Sequence, residues 1–194
     1  VHESRPGLRR AALLALAFVA ACALQPQILP ITPQLDLGNA PPRGNGRTLA
    51  LDVIDGRPDN VVGYRDPGDT NSAITTAPET IRVIKRTVEQ GYGNLGFQVV
   101  STGEPADITL EVRLTELGYS RDKSRMVENV TTGATVEVTS VMHSKTVTGT
   151  YHDGQGREVV LRPNLQENAE IMNKHLGAAL SRMVADPRMT TEDP

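Results

Sequence analysis

Three stretches of the chain alternate between apolar and polar residues. Ile108, Leu110, Val112 and Leu114 alternate with Thr109, Glu111, Arg113 and Thr115. Ala134, Val136 and Val138 alternate with Thr135, Glu137 and Thr139, and Val147, Gly149 and Tyr151 with Thr146, Thr148 and Thr150. Successive side chains of a strand point to opposite faces, so each run predicts a half-buried strand, and the three together predict an antiparallel meander. Upstream, TLALDVID from Thr48 predicts a short, mostly apolar strand, and Phe97 to Ser101 another.

Two segments carry the helical period instead. Ile81, Ile84, Val88, Tyr92 and Leu95 follow at three- and four-residue steps, and Thr76-Ala77-Pro78-Glu79 reads as a capping box with proline in the first turn. Leu165, Ala169, Met172, Leu176, Ala179, Leu180 and Met183 mark a second amphipathic helix, capped by Asn164 with Glu167 and ended by Asp186-Pro187. The elements predict an α+β fold with a mainly antiparallel, four- to five-stranded sheet and two helices packed on one face. Leu110, Val112, Val136, Val138, Ile84, Val88, Leu176 and Leu180 are expected to share one core. The other sheet face is Thr-rich, and reads as a solvated surface with cross-strand Thr pairs rather than a binding platform.

The remaining segments lack such a period. Arg5, Arg9 and Arg10 precede an apolar run from Ala11 to Leu24, too short to span a bilayer and shaped like a secretory signal. The run ends in Val19-Ala20-Ala21-Cys22, which resembles the lipobox of bacterial lipoproteins, and Cys22 is the chain's single cysteine. This divides the chain into a signal peptide (1–21), a lipidated Cys22 with an extended tether (22–47), one periplasmic domain (48–186) and a polar tail (187–194). Two or three acyl chains on Cys22 would hold the protein durably at a membrane. Ala23 after the cysteine, in place of aspartate, points to the outer membrane. The tether is assigned on its five prolines and few charges. From Asp55 to Thr76 runs a long stretch dense in Gly, Pro, Asp and Asn, read as a loop.

Composition narrows the chemistry. Past Ala21 there remain 17 Lys or Arg against 22 Asp or Glu, a net charge of minus five that disfavours nucleic acid as a partner. With no Trp, two Phe and four Tyr, stacking platforms for sugars or bases are not expected. Gly91-Tyr92-Gly93-Asn94-Leu95-Gly96 matches the dinucleotide motif literally, but it closes a helix and precedes a strand, the reverse of what pyrophosphate binding needs. Its glycines read as helix C-caps. His143, His152 and His175 lack metal-site spacing, and the crowd of Asp52, Asp55, Asp59, Asp66 and Asp69 fits no EF-hand. No cofactor, metal or catalytic constellation is expected, and a small-molecule ligand is disfavoured.

The lipobox, the proline-containing tether, TLALDVIDGRPDNVVGYRD, the helix with GYGNLGFQVV and the strand ADITLEVRLTELGY together resemble the YajG family of bacterial lipoproteins over roughly Leu35 to Val184. The sharpest elements are Asp55-x-Arg57 and Gly63-Tyr64-Arg65. The order of elements also looks like the periplasmic modules of TolB N-terminal domains and of lipoprotein activators of peptidoglycan synthases, an analogy of fold. The resulting expectation is a noncatalytic protein-binding module in the outer membrane, with an envelope protein as partner. Asp55, Arg57, Gly63, Tyr64 and Arg65, on the stretch from Asp55 to Thr75, form its expected interaction surface. Two alternatives stay open: an enzyme or metal-binding protein using the Asp-rich loop 52–69, and an auxiliary lipoprotein of an envelope transporter.

Overall fold

A computed structural model describes residues 25–122, 128–143, 145–159 and 163–191. In chain order its strands are β1 (Gln27–Leu29), β2 (Thr48–Asp55), β3 (Val61–Tyr64), β4 (Ala73–Thr76), β5 (Gln98–Val100), β6 (Ile108–Asp122), β7 (Glu128–Met142) and β8 (Lys145–Val159). Its α-helices are α1 (Thr80–Asn94) and α2 (Leu165–Ala185). Cys22 and the signal segment lie outside the described residues. The α+β class is right, but the expected four- to five-stranded, mainly antiparallel sheet is corrected: all eight strands join one mixed sheet.

The sheet is organised around β6. One edge of β6 pairs antiparallel with β7, which in turn pairs antiparallel with β8. Its other edge is shared between two partners. Ile108 to Leu114 run parallel to β2, and Tyr119 pairs in parallel with Gly63 of β3. From there β5 flanks β2 in parallel, while β3 leads antiparallel to β4 and β4 in parallel to β1. A bulge lies between Leu114 and Glu116. Before it the buried positions are Ile108, Leu110, Val112 and Leu114; after it they are Leu117, Tyr119 and Arg121. One extra residue changes the phase of the alternation, so the same face stays turned to the helices along the whole strand.

Three strands account for the difference from expectation. The predicted loop from Asp55 to Thr76 is largely the β3–β4 hairpin, and β1 lies in the predicted tether. Each spans three or four residues set among Pro, Gly and Asp, too short for alternation to register, and each needs a partner distant in the chain. Gly63 shows what the β3–β6 pairing demands, because a Cβ there would lie 1.9 Å from the Tyr119 carbonyl oxygen.

All eight residues expected in the core are buried in one cluster, with α1 over β2 and β5 and α2 over β7 and β8. The Asn164 cap forms as predicted: its Oδ1 accepts from the Glu167 amide while the Glu167 carboxylate accepts from the Asn164 amide. The other predicted box does not form. Thr76 is taken into β4, Glu79 makes no side-chain cap, and the Thr80 hydroxyl donates to the Ala77 carbonyl instead. Of the GYGNLG glycines, Gly96 sits at φ 85°, just past the end of α1.

Residues 27–47 are not a free tether. Gln27, Leu29, Ile31 and Pro33 are buried and Leu35 and Leu37 half-buried, while the residues between them are exposed. This strap follows α2 along its length. Gln27 Oε1 accepts from Asn168 Nδ2 at 2.8 Å, the Thr32 amide donates to Asn173 Oδ1 at 2.7 Å, and the Asp36 amide donates to Ser181 Oγ at 2.9 Å. Arg43 closes it by donating to the Val184 carbonyl at 2.5 Å and to Thr190 Oγ1 at 3.0 Å. On its other side the strap meets α1. Leu35 packs where Gly91 has no side chain, and Gly44 packs against the Gly96 backbone, where a Cβ would come within 2.2 Å. The strap therefore fills the seam between the two helices. The expected polar tail is anchored too, with Met189 and Thr190 fully buried and Ser140 Oγ donating to the Met189 carbonyl. Among the described residues the folded unit runs from Gln27 to Thr190, wider than 48–186.

Leu29 is fully buried, so Leu29→Ala should lower stability by about 2–5 kcal/mol, as for any large-to-small core change. Urea unfolding checks this; a tether residue would leave the midpoint in place.

Candidate functional site

The five residues expected to form an interaction surface end in different roles. Asp55 closes β2 and faces Arg57 across the turn that follows: Arg57 Nε donates to Asp55 Oδ1 at 2.9 Å and Nη2 to Oδ2 at 2.8 Å. Nη2 also reaches Thr76 Oγ1 at 3.1 Å, tying the end of β2 to the end of β4. The Arg57 side chain is only 5% exposed, so this guanidinium is a brace rather than a free fork. Its hydrogen bonds hold the Asp55 carboxyl below its ordinary pKa of 3.8. Gly63 serves the β3–β6 contact. The Arg65 carbonyl accepts from Arg121 Nη1 at 2.6 Å, while Arg65 Nε is buried without a partner among the described residues. Asp55 and Tyr64 are the exposed members, Asp55 engaged by Arg57 and Tyr64 open at 38% exposure.

Aspartates of the same stretch form turns. Asp59 Oδ1 accepts from the Val61 amide and Asp69 Oδ1 from the Asn71 amide, the usual way aspartate nucleates a reversal. Among the described residues no three His, Cys, Asp or Glu side chains converge as metal ligands would. His175 is buried on α2, and its Nδ1 lies 2.5 Å from Asp153 Oδ2 of β8. Arg182 Nη2 reaches the other oxygen, Asp153 Oδ1, at 2.8 Å. Burial would raise the Asp153 pKa, but the hydrogen bonds from His175 and Arg182 outweigh it and the carboxyl stays below the usual range. This trio clamps α2 to β8.

The feature that sequence reading missed lies on the opposite face of the sheet. Register aligns Gly118 of β6, Gly133 of β7 and Gly154 of β8 in one row across three strands. With no side chains along that row, a trough of about 410 Å³ opens above the backbone. Glycine within a strand often marks such a place of close approach. One wall is the row Glu116, Thr135 and His152. There the Thr135 hydroxyl donates to Glu116 Oε2 at 2.9 Å and lies 3.0 Å from His152 Nδ1, holding both side chains in place. The other wall is Ser120, Thr131 and Gly156. Pairing of Gly63 with Tyr119 sets Tyr64 beside Ser120, and Val62 closes the β3 end. Each glycine alone is ordinary in the sequence; only the register, including the bulge, lines them up.

The Asp55–Arg57 brace has a testable pH signature. The folded pKa of Asp55 is depressed, so its contribution is complete above the ordinary value of 3.8 and is lost as pH falls through the folded value. Asp55→Asn should be less stable by roughly 1–3 kcal/mol at neutral pH, because the buried Arg57 fork loses one of its two carboxylate oxygens and the charge opposite it. That gap should close below about pH 4, measured by urea midpoints of both proteins across the acid range.

Comparison with known proteins places this geometry. The model of a family described as uncharacterized lipoprotein, Lipoprotein_16, matches residues 33–192. No curated protein matches the chain. A Xanthomonas campestris protein of family DUF330 superposes with a TM-score of 0.52 at 10% identity, covering 84% of this chain and 93% of its own. An uncharacterized protein superposes with the same TM-score at 14% identity, covering 84% of this chain and 97% of its own. These two likenesses concern the fold alone. Lipoprotein GNA1162 of Neisseria meningitidis is more distant, with a TM-score of 0.35 at 11% identity over 56% of this chain and 83% of its own. Matched from within the strap to the buried C-terminal turn, the chain belongs to this YajG-like family of uncharacterized lipoproteins.

Proposed function

We propose that this chain is a noncatalytic, lipid-anchored protein of the outer membrane, facing the periplasm, which binds an extended segment of another envelope protein along the glycine trough. Membership of a lipoprotein family and the position of Cys22 in Val19-Ala20-Ala21-Cys22 support the anchor. The trough is the observation that carries the binding role. Four strands at about 4.8 Å spacing give it a length of roughly 14 Å, the span of about four extended residues. Its walls offer a carboxylate, an imidazole and hydroxyls from Glu116, His152, Ser120 and Thr131, suited to a polar peptide rather than a greasy ligand. Tyr64 at the rim supplies a ring with a polar tip, a residue type enriched where proteins recognise each other.

Filling the trough tests the reading. At Gly118 an added Cβ would meet only the Glu116 side chain, at 3.2 Å from Oε1, and at Gly156 only ordinary contacts at 3.6 and 3.8 Å. The double variant Gly118→Thr with Gly156→Thr should keep its stability within about 1 kcal/mol. A photoreactive residue at position 64, used in intact cells, should then lose its crosslinked partner. Undiminished crosslinking in the filled variant contradicts the proposal.

A further inference from the structure

The chain enters the fold beside two exposed apolar side chains. Gln27, at the start of β1, is buried and held by Asn168, and β1 is in register with β4 from Gln27 to Leu29. Next to this entry Ile28 is 63% exposed on the edge strand, and Leu165, on the first turn of α2, is 43% exposed. Pro30 and Leu165 line one shallow groove of about 590 Å³. No charged residue occurs from Ala23 to Leu35; the first is Asp36.

Chain length decides what lies against this edge. Five residue steps separate Cys22 from Gln27, a span of at most about 18 Å at ~3.6 Å per residue. An acylated cysteine sits where acyl chains meet headgroups, and the headgroup layer takes up about 5–8 Å of that span. What remains is about the diameter of one helix. A docked strap cannot be drawn out to lengthen the reach without breaking buried contacts at Leu29 and Ile31.

We infer that the β1 edge of the domain, through Ile28, Pro30 and Leu165, rests on the lipid surface in which Cys22 is anchored. The domain is seated on the membrane rather than displayed at a distance from it. This inference rests on lipidation of Cys22. The short link to Cys22 holds the seat. Residues 23–35 carry no charge, and Glu170, which lines the groove, is repelled less by anionic lipid as salt rises, so added salt leaves the seating in place. Val141 is similarly exposed, at 44%, but pairs with Thr109 at the opposite end of the β6–β7 ladder, and so serves as the internal control.

The test uses the full lipidated chain in vesicles of phosphatidylethanolamine and phosphatidylglycerol. Acylation blocks the Cys22 thiol, so Ile28→Cys, Leu165→Cys and Val141→Cys each offer one site for an environment-sensitive fluorophore. All three side chains are exposed, so labelling disturbs no core contact. The expected result is quenching by lipid-borne quenchers at positions 28 and 165, none at 141, and little change in high salt. A Gly/Ser stretch of about 20 residues inserted before Gln27 should relieve the quenching, since such linkers behave as flexible coils. Equal, water-like emission at all three positions, with acyl mass present on Cys22, overturns the seating while leaving the lipoprotein reading intact. Absence of acyl mass on Cys22 of the unsubstituted chain overturns both. Hydrogen exchange on the unsubstituted chain gives the same answer without a label: protection at 25–30 should rise on vesicles, and no change counts against seating.

Discussion

Two helices laid side by side on a sheet leave a seam facing outward, and in this protein residues 27–44 fill it. Alternate strap side chains enter the core, and its backbone finds partners on α2 from Asn173 to Ser181. The strap also supplies the edge strand β1. Its prolines suit this extended path, because Pro30 and Pro33 fix φ and need no hydrogen-bond acceptor where the strap has no ladder partner. At its end Arg47 lies 5.4 Å from the centre of the Phe97 ring, which packs edge-on against buried Tyr92. Helix pairing, the β1 edge and the C-terminal turn held by Arg43 all depend on this strap staying in place.

The sheet beneath is governed by β6, which pairs with three other strands. Splitting one edge between β2 and β3 extends the sheet by β2 and β5 along one half of β6 and by β3, β4 and β1 along the other. The bulge after Leu114 keeps the same face under the helices on both halves. The same register carries Gly118 into line with Gly133 and Gly154 on the opposite face. One strand thus couples the packing of the core to the shape of the outer surface. Fold and proposed binding trough share a single geometric origin, and the clamp of Asp153 on His175 and Arg182 secures β8, the trough's outer strand, from below.

Long elements were legible in the sequence and short ones were not. The alternation at Leu110 or Val136 and the helical steps from Ile84 to Leu95 repeat often enough to determine both type and buried face. Leu29, Ile31, Leu35 and Leu37 also fall on alternate positions, with Pro33 filling the gap, but the prolines suggest a linker, although proline is compatible with an extended segment that borrows its hydrogen bonds from side chains. Val61 to Tyr64 form a strand because β4 folds back to pair with Val61, Gly63 and Tyr64 and β6 runs far enough for Tyr119 to pair with Gly63. The family-like residues Asp55, Arg57 and Gly63 turned out to brace and join strands, leaving Tyr64 as an exposed member that serves no strand contact through its side chain. Nothing in a linear reading could align Gly118 with Gly133 and Gly154, since that alignment needs pairing across two hairpins and one bulge.

If Cys22 carries the proposed lipid, the folded structure begins only five residue steps after the anchor, and the domain is held differently from one on a long leash. Under that proposal it would work within reach of the membrane surface, with its orientation set by where the strap enters. All of this depends on the strap being as stable as the core. Native-state hydrogen exchange measures that directly at the Thr32 and Asp36 amides, which donate to Asn173 and Ser181, and at the Gly44 amide, which donates to the Leu95 carbonyl. The account predicts opening free energies there close to those of the β6 ladder. Exchange at the rate of an unstructured peptide at these amides, with β6 still protected, would contradict it.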